Sequence, residues 1–266
     1  VSHPRTLAWI AKDANKTDAI DARKLAELLR LNLVHPVYCE QSAPRRTFKQ
    51  LVVHYEQLSR DQARLKSKIK ARLRTIGVIR TDPRLFSANG QAALLDQFND
   101  AFQKTIFTQL FAVLNQMLAS LEEAKRQMIE FSRRFTEVRL LLTAPGVGII
   151  TACRFVAYLQ TPRRFSNKQK LWRYCRLGVT RRESNAKRLA HPRLDSAGVG
   201  SLKDVSRKVF EAARRTKSGN AFKRFYEQSL AVTKNTVHAR LSTQRKILAT
   251  LRAMWLSMQP FRDDGA

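Results

Sequence analysis

The chain has 266 residues, and its 50 Lys and Arg against 21 Asp and Glu give a formal net charge of +29. Hydrophobic residues make up 44% of the sequence, which is normal for a globular protein and excludes a wholly disordered basic tail. The length fits one large domain or two small ones. Because so basic a surface repels itself, we expect an anionic polymer as its partner.

Cysteine usage and hydropathy exclude further classes of protein. The three cysteines are far apart in sequence: Cys39, Cys153 and Cys175. A disulfide framework and a zinc finger are therefore not expected, and the count fits a reducing cytosol. The longest apolar stretch, residues 140–159, is interrupted by Arg154 and by Pro145-Gly146, so it does not predict a membrane span. We see no signal peptide and expect a cytoplasmic protein without a membrane partner.

The first 40 residues are nearly neutral, and their most regular part predicts a helix from Thr17 to Arg30 with Thr17 as its N-cap. Asp18 and Asp21 lie three residues apart and so share one face of this helix. Two carboxylates on one face suit Mg²⁺, which commonly takes one or two of them together with phosphate oxygens. Acidic residues in the first turn also complement the helix dipole without any further role, and both interpretations remain open.

Residues 45–75 carry apolar side chains at heptad-like spacing, which predicts one long helix with a basic flank. Breaks at Gly77, Asp82-Pro83 and Asn89-Gly90 follow. A second periodic run covers residues 94–138 and places Phe102 and Ile106 in its apolar seam. Two such helices predict an antiparallel coiled-coil hairpin over residues 41–139. Its seam either packs within the hairpin or pairs in part with another subunit.

The segment Pro145-Gly146-Val147-Gly148 predicts a tight turn between two helices. Gly146 and Gly148 would let backbone N–H groups approach a phosphate, next to the positive end of a helix dipole. This is the principle of helix-hairpin-helix elements, which bind the DNA backbone without reading its sequence. The alternative is an ordinary glycine-rich turn between packed helices.

Residues 163–193 form a basic stretch in which Glu183 is the only acid. We predict that its cations contact phosphates of a nucleic acid. The candidates are Arg163, Arg164, Lys168, Lys170, Arg173, Arg181, Arg182, Lys187 and Arg188. Trp172 and Tyr174 either stack on bases or belong to the core. Helices are predicted again at 202–215, 221–230 and 238–258, and no run of alternating strand residues stands out, so the fold class is mainly α.

Ser184 lies among cations, in the run RRESNAKR from Arg181 to Arg188. Arginines hold a phosphate and stabilise the charge that develops when a hydroxyl attacks it. No Ser-His-Asp arrangement is readable, and a serine in a basic loop is commonly only a polar loop residue.

Two sets of motifs, in this order, resemble the DEDD insertion-sequence transposases of the IS110 (IS116/IS110/IS902) family, which includes the Piv-type invertases. The run KTDAIDARKLA from Lys16 to Ala26 is similar to the end of the family's RuvC-like catalytic domain. The second set resembles its C-terminal transposase domain: TAPGVG from Thr143, RFS from Arg164, Leu177-Gly178, Glu183-Ser184 and GSLK from Gly200. The hairpin between them fits the family's domain order.

The resemblance implies three parts: a remnant of the RuvC-like (RNase H-like) domain at 1–40, the coiled-coil hairpin at 41–139, and an α-helical transposase domain at 140–266. It implies a recombinase of a mobile element whose Asp-Glu-Asp-Asp set binds Mg²⁺ and whose serine attacks DNA, leaving a covalent phosphoserine. At least some members use an element-encoded guide RNA, and the domains work across subunits of a homo-oligomer.

Carried over residue by residue, Asp18 and Asp21 match the third and fourth acids of the set. The first two would precede Val1, so we expect an N-terminally truncated, inactive or partial chain that does not cleave DNA alone. Ser184 matches the nucleophile, although the family usually has glycine where Asn185 stands, and Ser196 is the fallback. The rival hypothesis is a non-catalytic, basic nucleic-acid-binding protein, which needs none of these acids or serines.

Overall fold

The computed structural model describes residues 17–34, 37–79, 82–180, 183–184, 187–188 and 193–263. The chain divides into two compact units, Val1–Ala43 and Pro44–Ala266. The described residues are mainly α-helical, which confirms the predicted fold class. The three-part division of the chain, with its boundary near residue 140, stays a prediction.

The described part of the first unit contains helix α1, Asp18–Arg30. Its N-cap is Thr17, whose hydroxyl oxygen accepts a hydrogen bond from the Ile20 N–H at 3.3 Å, and the predicted helix is thereby confirmed. Acids in the first turn and Arg30 in the last both complement the helix dipole. Local interactions, namely the N-cap and the charges at both ends, therefore stabilise this helix more than burial does.

The second unit begins with a long helical hairpin. Helix α2 spans Ala43–Thr75, and a 3₁₀ turn at Pro83–Phe86 leads into α3, Ala88–Leu95, and then α4, Ala101–Ser132. The predicted break at Asn89-Gly90 is wrong, because both residues lie in the first turn of α3. Ser87 caps that turn by accepting from the Gly90 N–H at 3.2 Å. A Cβ at Gly90 would lie 2.0 Å from the Arg84 carbonyl oxygen, so this glycine permits a close approach instead of ending a helix.

Helices α2 and α4 run antiparallel, because the start of each packs near the end of the other. At one end the ring of Phe48 stacks on Phe135, with 4.8 Å between the ring centroids. At the other end Ile69 and Leu73 share a buried cluster with Phe107 and Phe111. The hairpin thus has one apolar cluster at each end, and its coiled-coil geometry stays a prediction.

The apolar seam of α4 differs from the predicted one at its N-terminal end. Phe102 is 84% exposed and Ile106 is 42% exposed, whereas Phe107 and Phe111 are buried. The buried stripe is shifted because Leu85 and Leu94, from the connection between the long helices, join the cluster that contains Phe107 and Phe111. Helical periodicity alone does not show where a connecting segment folds back.

The remaining helices surround the main core. They are α5 (Thr136–Leu141), α6 (Ile149–Leu159), α7 (Lys168–Tyr174), α8 (Gly200–Arg215), α9 (Ala221–Thr233) and α10 (Thr236–Ser257), with a 3₁₀ turn at Pro162–Arg164. The helices predicted at 202–215, 221–230 and 238–258 are confirmed. Phe155, Leu202 and Leu251 belong to a core that also takes in Phe48 and Met128, so the base of the hairpin is continuous with it.

Among the described residues from 179 to 194, four two-residue strands follow α7. Strand β1, Val179–Thr180, pairs antiparallel with β4, Arg193–Leu194. Strand β2, Glu183–Ser184, pairs antiparallel with β3, Lys187–Arg188. Strands this short leave no alternating pattern, and so the sequence did not predict them. Among the described helices, none combines the length and the hydropathy that a membrane span requires.

Candidate functional site

The two carboxylates of α1, Asp18 and Asp21, are suitable ligands for a metal ion but are too few to form a complete site. Asp18 is exposed and Asp21 is half-buried. The Oδ1 atom of Asp21 is inaccessible to solvent and has no hydrogen-bond partner among the described residues. Carboxylate oxygens are the donors that Mg²⁺ prefers, so the pair fits two ligands of such an ion. Within the described ranges, no group of three or more His, Cys, Asp and Glu forms a metal site.

The Pro-Gly-Val-Gly turn connects α5 to α6, and its two glycines differ in their surroundings. Gly146 has a φ of +78°, and a Cβ there would lie 2.5 Å from the Val209 carbonyl oxygen and 2.7 Å from the Ala213 nitrogen. Because the backbone of α8 lies this close, packing accounts for Gly146, which favours an ordinary turn at that position.

Gly148 faces open space. It is exposed, it is the N-cap of α6, and nothing lies within 4 Å of a Cβ built on it. Its N–H donates to the Thr151 hydroxyl oxygen at 2.9 Å. A phosphate contact at this turn therefore depends on the first N–H groups of α6 and on the open space at Gly148, rather than on Gly146.

We expect Gly146→Ala to lower the free energy of unfolding by about 2–4 kcal/mol, since it adds left-handed backbone strain to a backbone clash. Gly148→Ala is the matched control and costs only about 0.5–1 kcal/mol, because alanine is merely a poorer N-cap. Urea unfolding of both variants measures the difference. Equal losses would contradict the assignment of Gly146 to packing against α8.

The basic stretch presents most of its described cations to solvent. Arg163, Lys168, Lys170 and Arg173 are exposed, and the last three lie on α7. Arg164 is half-buried, with its guanidinium 4.6 Å from the centroid of the Tyr174 ring. Arg181 and Arg182 lie outside the described residues, and Lys187 and Arg188 are described only as strand β3.

Trp172 and Tyr174 belong to the core rather than to an exposed stacking surface. The Trp172 indole N–H donates to the Arg245 carbonyl oxygen at 3.0 Å, and the Tyr174 hydroxyl donates to the Tyr158 carbonyl oxygen at 3.2 Å. Both rings are half-buried against the main cluster. Burial raises the pKa of the Tyr174 hydroxyl, which keeps it a neutral donor. These contacts favour the core interpretation over base stacking.

The two candidate serines lie in different parts of the strand region. Ser184 is in β2, where the register places it opposite Lys187. Thr180 of β1 precedes it by four residues, so their Cα atoms are separated by at most about 14 Å. Ser196 is exposed in the loop after β4, and there the carboxylate of Asp195 accepts from the Ala197 N–H at 2.8 Å.

A buried polar network joins α2, α6 and α8, and it was not predicted from the sequence. Arg154 on α6 is only 6% exposed, and its guanidinium donates to the carboxylates of Glu56 on α2 and Asp204 on α8. The hydroxyls of Tyr158 and Ser201 donate to the second Glu56 oxygen at 2.6 Å and 2.9 Å. The signal in the sequence was a lone arginine, Arg154, within the apolar run 140–159. A charged side chain that is buried in such a run requires partners.

The carboxyl of Asp204 and the guanidinium of Arg154 are both charged at neutral pH. Burial opposes the ionised form of Asp204, but hydrogen bonds from Arg154 and Arg207 outweigh it and lower the pKa of that carboxyl to about 2. Burial likewise opposes the charge on Arg154, and the bonds to Asp204 and Glu56 nevertheless raise the pKa of its guanidinium. Arg154 and Asp204 thus form an ion pair rather than a neutral hydrogen bond.

Two protein-family models match separate parts of the sequence. One, a transposase model named for the DEDD IS110 group, matches residues 2–78, which contain α1, α2 and both candidate acids. The other, described as the transposase IS116/IS110/IS902 family, matches residues 138–227, which contain the Pro-Gly-Val-Gly turn, Ser184 and Ser196. No curated protein matches the sequence significantly.

Proposed function

Because the chain belongs to the IS116/IS110/IS902 family of transposases, we propose that it binds DNA and cuts and rejoins its strands through a serine-linked intermediate. One observation carries the proposal: two family segments stand in the expected order, the first with Asp18 and Asp21 and the second with Ser184. Transposases of this family belong to mobile genetic elements, and so does this one.

DNA binding rests on charge that is both large and exposed. The net charge is +29, and the cations of α7 and Arg163 of the preceding turn face solvent. Few acids neutralise them, since Glu183 is the only one between residues 163 and 193. Phosphates are the groups that such a surface attracts, and counterion release makes the attraction depend on salt.

The serine step is a transesterification. The Ser184 hydroxyl oxygen forms a bond to a backbone phosphorus, the bond from that phosphorus to one sugar oxygen breaks, and the released sugar oxygen takes a proton equivalent to the one lost by the serine. No water is consumed, so the phosphoserine ester keeps the bond energy for rejoining to another strand's hydroxyl. Arginine and lysine neighbours stabilise the charge on the phosphoryl oxygens.

Asp18 and Asp21 would hold a Mg²⁺ ion, and the unpartnered Oδ1 of Asp21 supports this assignment. When bound, such an ion neutralises phosphate charge and helps to generate the attacking oxyanion. Two carboxylates bind Mg²⁺ only weakly, so the other acids of the family's set complete the site in this proposal.

The proposal extends to two partners implied by the family: an element-encoded guide RNA and further copies of the chain. Exposed apolar side chains on α4 support a subunit interface in the hairpin, namely those of Phe102, Ile106 and Val113. The alternative function is non-catalytic nucleic-acid binding. It shares the cations and differs in needing neither Asp18, Asp21 nor Ser184.

We expect the chain to bind duplex DNA with an affinity that falls steeply as salt rises, measured by fluorescence anisotropy at several salt concentrations. Replacing four cations around Ser184 with glutamine should reduce the slope of log affinity against log salt by about 2–4. They are Arg181, Arg182, Lys187 and Arg188.

The control removes the same charge elsewhere, at four exposed positions: Arg84, Arg133, Arg139 and Lys217. This variant should change the slope far less, because its cations lie outside the basic stretch. A flat salt response of the unmodified chain would refute DNA binding through phosphates, and equal slopes for both variants would remove the Ser184 region from the interface.

A further inference from the structure

A cleft of about 600 Å³ lies between the N-terminal turn of α8, the loop after β4 and helix α10. Its lining includes Ser196, Lys203, Arg240 and Gln244. The guanidinium of Arg176 lies at its edge beside Gly200, held by a hydrogen bond from its Nε to the Gly198 carbonyl oxygen at 2.9 Å. The cleft is thus built by three separate parts of the fold.

The acidic side chains of this cleft already form ion pairs, whereas several of its basic side chains do not. Asp204 pairs with Arg154, Arg207 and Lys208. Asp195 accepts from the Ala197 N–H and pairs with the Arg173 guanidinium at 3.5 Å. Among the described residues, no carboxylate forms an ion pair with Arg176, Lys203 or Arg240. The cleft therefore presents net positive charge to whatever enters it.

The backbone adds to this charge. Helix α8 begins at Gly200, and its N-cap, Val199, offers no side-chain acceptor to the first N–H groups. The partial positive charge of a helix N-terminus therefore points into a region that already holds cations. Lys203 lies on the first turn of the same helix. Together these groups suit an anion with several oxygens.

Gln244 supplies an independent sign that the cleft takes a polar ligand. Its side chain is only 3% exposed and lines the cleft, yet its Oε1 atom has no hydrogen-bond partner among the described residues. An unpaired buried amide is costly, and natural proteins usually satisfy such groups. Rotation of the amide by half a turn offers its N–H₂ instead, so the group can donate to an anion.

We propose that this cleft binds a phosphodiester group of a nucleic-acid backbone. Arg176, Lys203 and Arg240 would neutralise the phosphate, and Gln244 and Ser196 would hydrogen-bond to it. The inference rests on the proposed function and adds a second contact point to it. Ser196 is in this view a neutral phosphate ligand and not a nucleophile.

The chain connects this cleft to Ser184. Leu194 of β4 lines the cleft, and β4 pairs with β1, which ends four residues before Ser184. Four residues reach at most about 14 Å. Successive nucleotides of one strand rise about 3.4 Å along the helix axis. The phosphate in the cleft would therefore lie only a few nucleotides from the one that Ser184 attacks.

The test compares two double variants of the whole chain by anisotropy with duplex DNA and, separately, with an RNA hairpin. Lys203→Gln with Arg240→Gln removes one lysine from α8 and one arginine from α10. The control, Arg215→Gln with Lys246→Gln, removes the same charge from exposed positions of the same two helices. We expect the cleft variant to lose at least ten-fold in affinity and the control less than two-fold.

The two arms identify the source of the phosphodiester: a selective loss for one nucleic acid assigns the cleft to it. Equal affinities of the two double variants on both nucleic acids overturn the inference while leaving the proposed function intact. If the unmodified chain binds neither with salt sensitivity, the proposed function itself fails.

Gln244→Leu separates binding from folding. The substitution removes a buried unpaired amide at similar volume, so we expect an unchanged or higher melting temperature together with a three- to ten-fold weaker affinity. Unchanged affinity with a lower melting temperature would assign Gln244 to packing and overturn its part in the site. Ser196→Ala should weaken binding two- to five-fold without preventing a covalent adduct.

Discussion

Ser184→Ala should lower the yield of covalent protein–DNA adduct by at least about a thousand-fold, because removal of a nucleophile leaves only the background reaction. Affinity for DNA should hardly change, since binding depends on cations. The protein tested joins this chain to the N-terminal segment of a family relative that supplies the two other acids. Adduct is trapped with denaturant and counted on a gel with labelled DNA.

Two features of the chain make Ser184 the expected attachment point. By resemblance it corresponds to the family's serine, and it lies within the segment that matches the IS116/IS110/IS902 model. Its neighbours in sequence include Arg181, Arg182, Lys187 and Arg188, which can stabilise a phosphate under attack. The resemblance implies glycine where Asn185 stands, a difference that leaves the serine itself present in the sequence.

Ser196→Ala is the matched control for this experiment. An adduct that persists in Ser184→Ala but disappears in Ser196→Ala would move the nucleophile to Ser196 and contradict its role as a neutral phosphate ligand. Survival of the adduct in both variants would rule out a serine mechanism. Asp18→Ala should also remove the adduct, and it separates the enzyme from a protein that only binds nucleic acid.

Local signals explain which elements the sequence predicted well. Helix α1 was found because Thr17 is a capping residue and the acids that follow suit the first turn. Helix α8 carries clear apolar periodicity. Such signals act within one or two helix turns, so they survive whatever the rest of the chain does, and a single sequence is enough to read them.

Features that depend on distant residues were not predictable in the same way. Gly90 serves a close approach to Arg84 inside a capped helix, although Asn-Gly is typical of a turn. Phe102 is exposed because Leu85 and Leu94 fold back beside a different stripe of α4. In both cases the deciding neighbour lies across a turn, and periodicity contains no information about its position.

In the candidate site, too, some features could be predicted from the sequence and others could not. The basic stretch could be read from composition alone, whereas the cleft beside α8 gathers residues from the α7–β1 region, the loop after β4, α8 and α10. Lys203 and Gln244 became candidates only when the fold placed them in one cavity. The engagement of Asp204 by Arg154 is equally invisible in sequence, yet it decides the charge of that cleft.

The buried network has a further consequence, because it joins the two segments that match different family models. Glu56 lies in the segment 2–78, while Arg154 and Asp204 lie in the segment 138–227. Arg45 forms a second connection of this kind: its guanidinium pairs with Glu137 at 2.7 Å and donates to the Gln160 carbonyl oxygen at 3.1 Å. These contacts fix the base of the hairpin against α6 and α8.

We therefore expect Arg154→Met to lower the free energy of unfolding by about 3–5 kcal/mol, because it strands Glu56 as a buried charge. Arg207→Met, which removes an exposed partner of Asp204, should cost less than about 1 kcal/mol. Urea unfolding at neutral pH measures both, and at that pH the carboxyl of Asp204 is ionised because its pKa is about 2.

A double variant shows whether the cost comes from the stranded charge or from lost packing. Glu56→Gln keeps an acceptor for the Tyr158 and Ser201 hydroxyls while removing the negative charge. Combined with Arg154→Met, it should recover part of the lost stability, so that the double variant loses less than the sum of the two single losses. Strict additivity would mean that Glu56 and Arg154 do not interact energetically. The hairpin would then be held to the core by apolar contacts such as those of Phe48, and the ion pairs would set only the charge of the adjoining cleft.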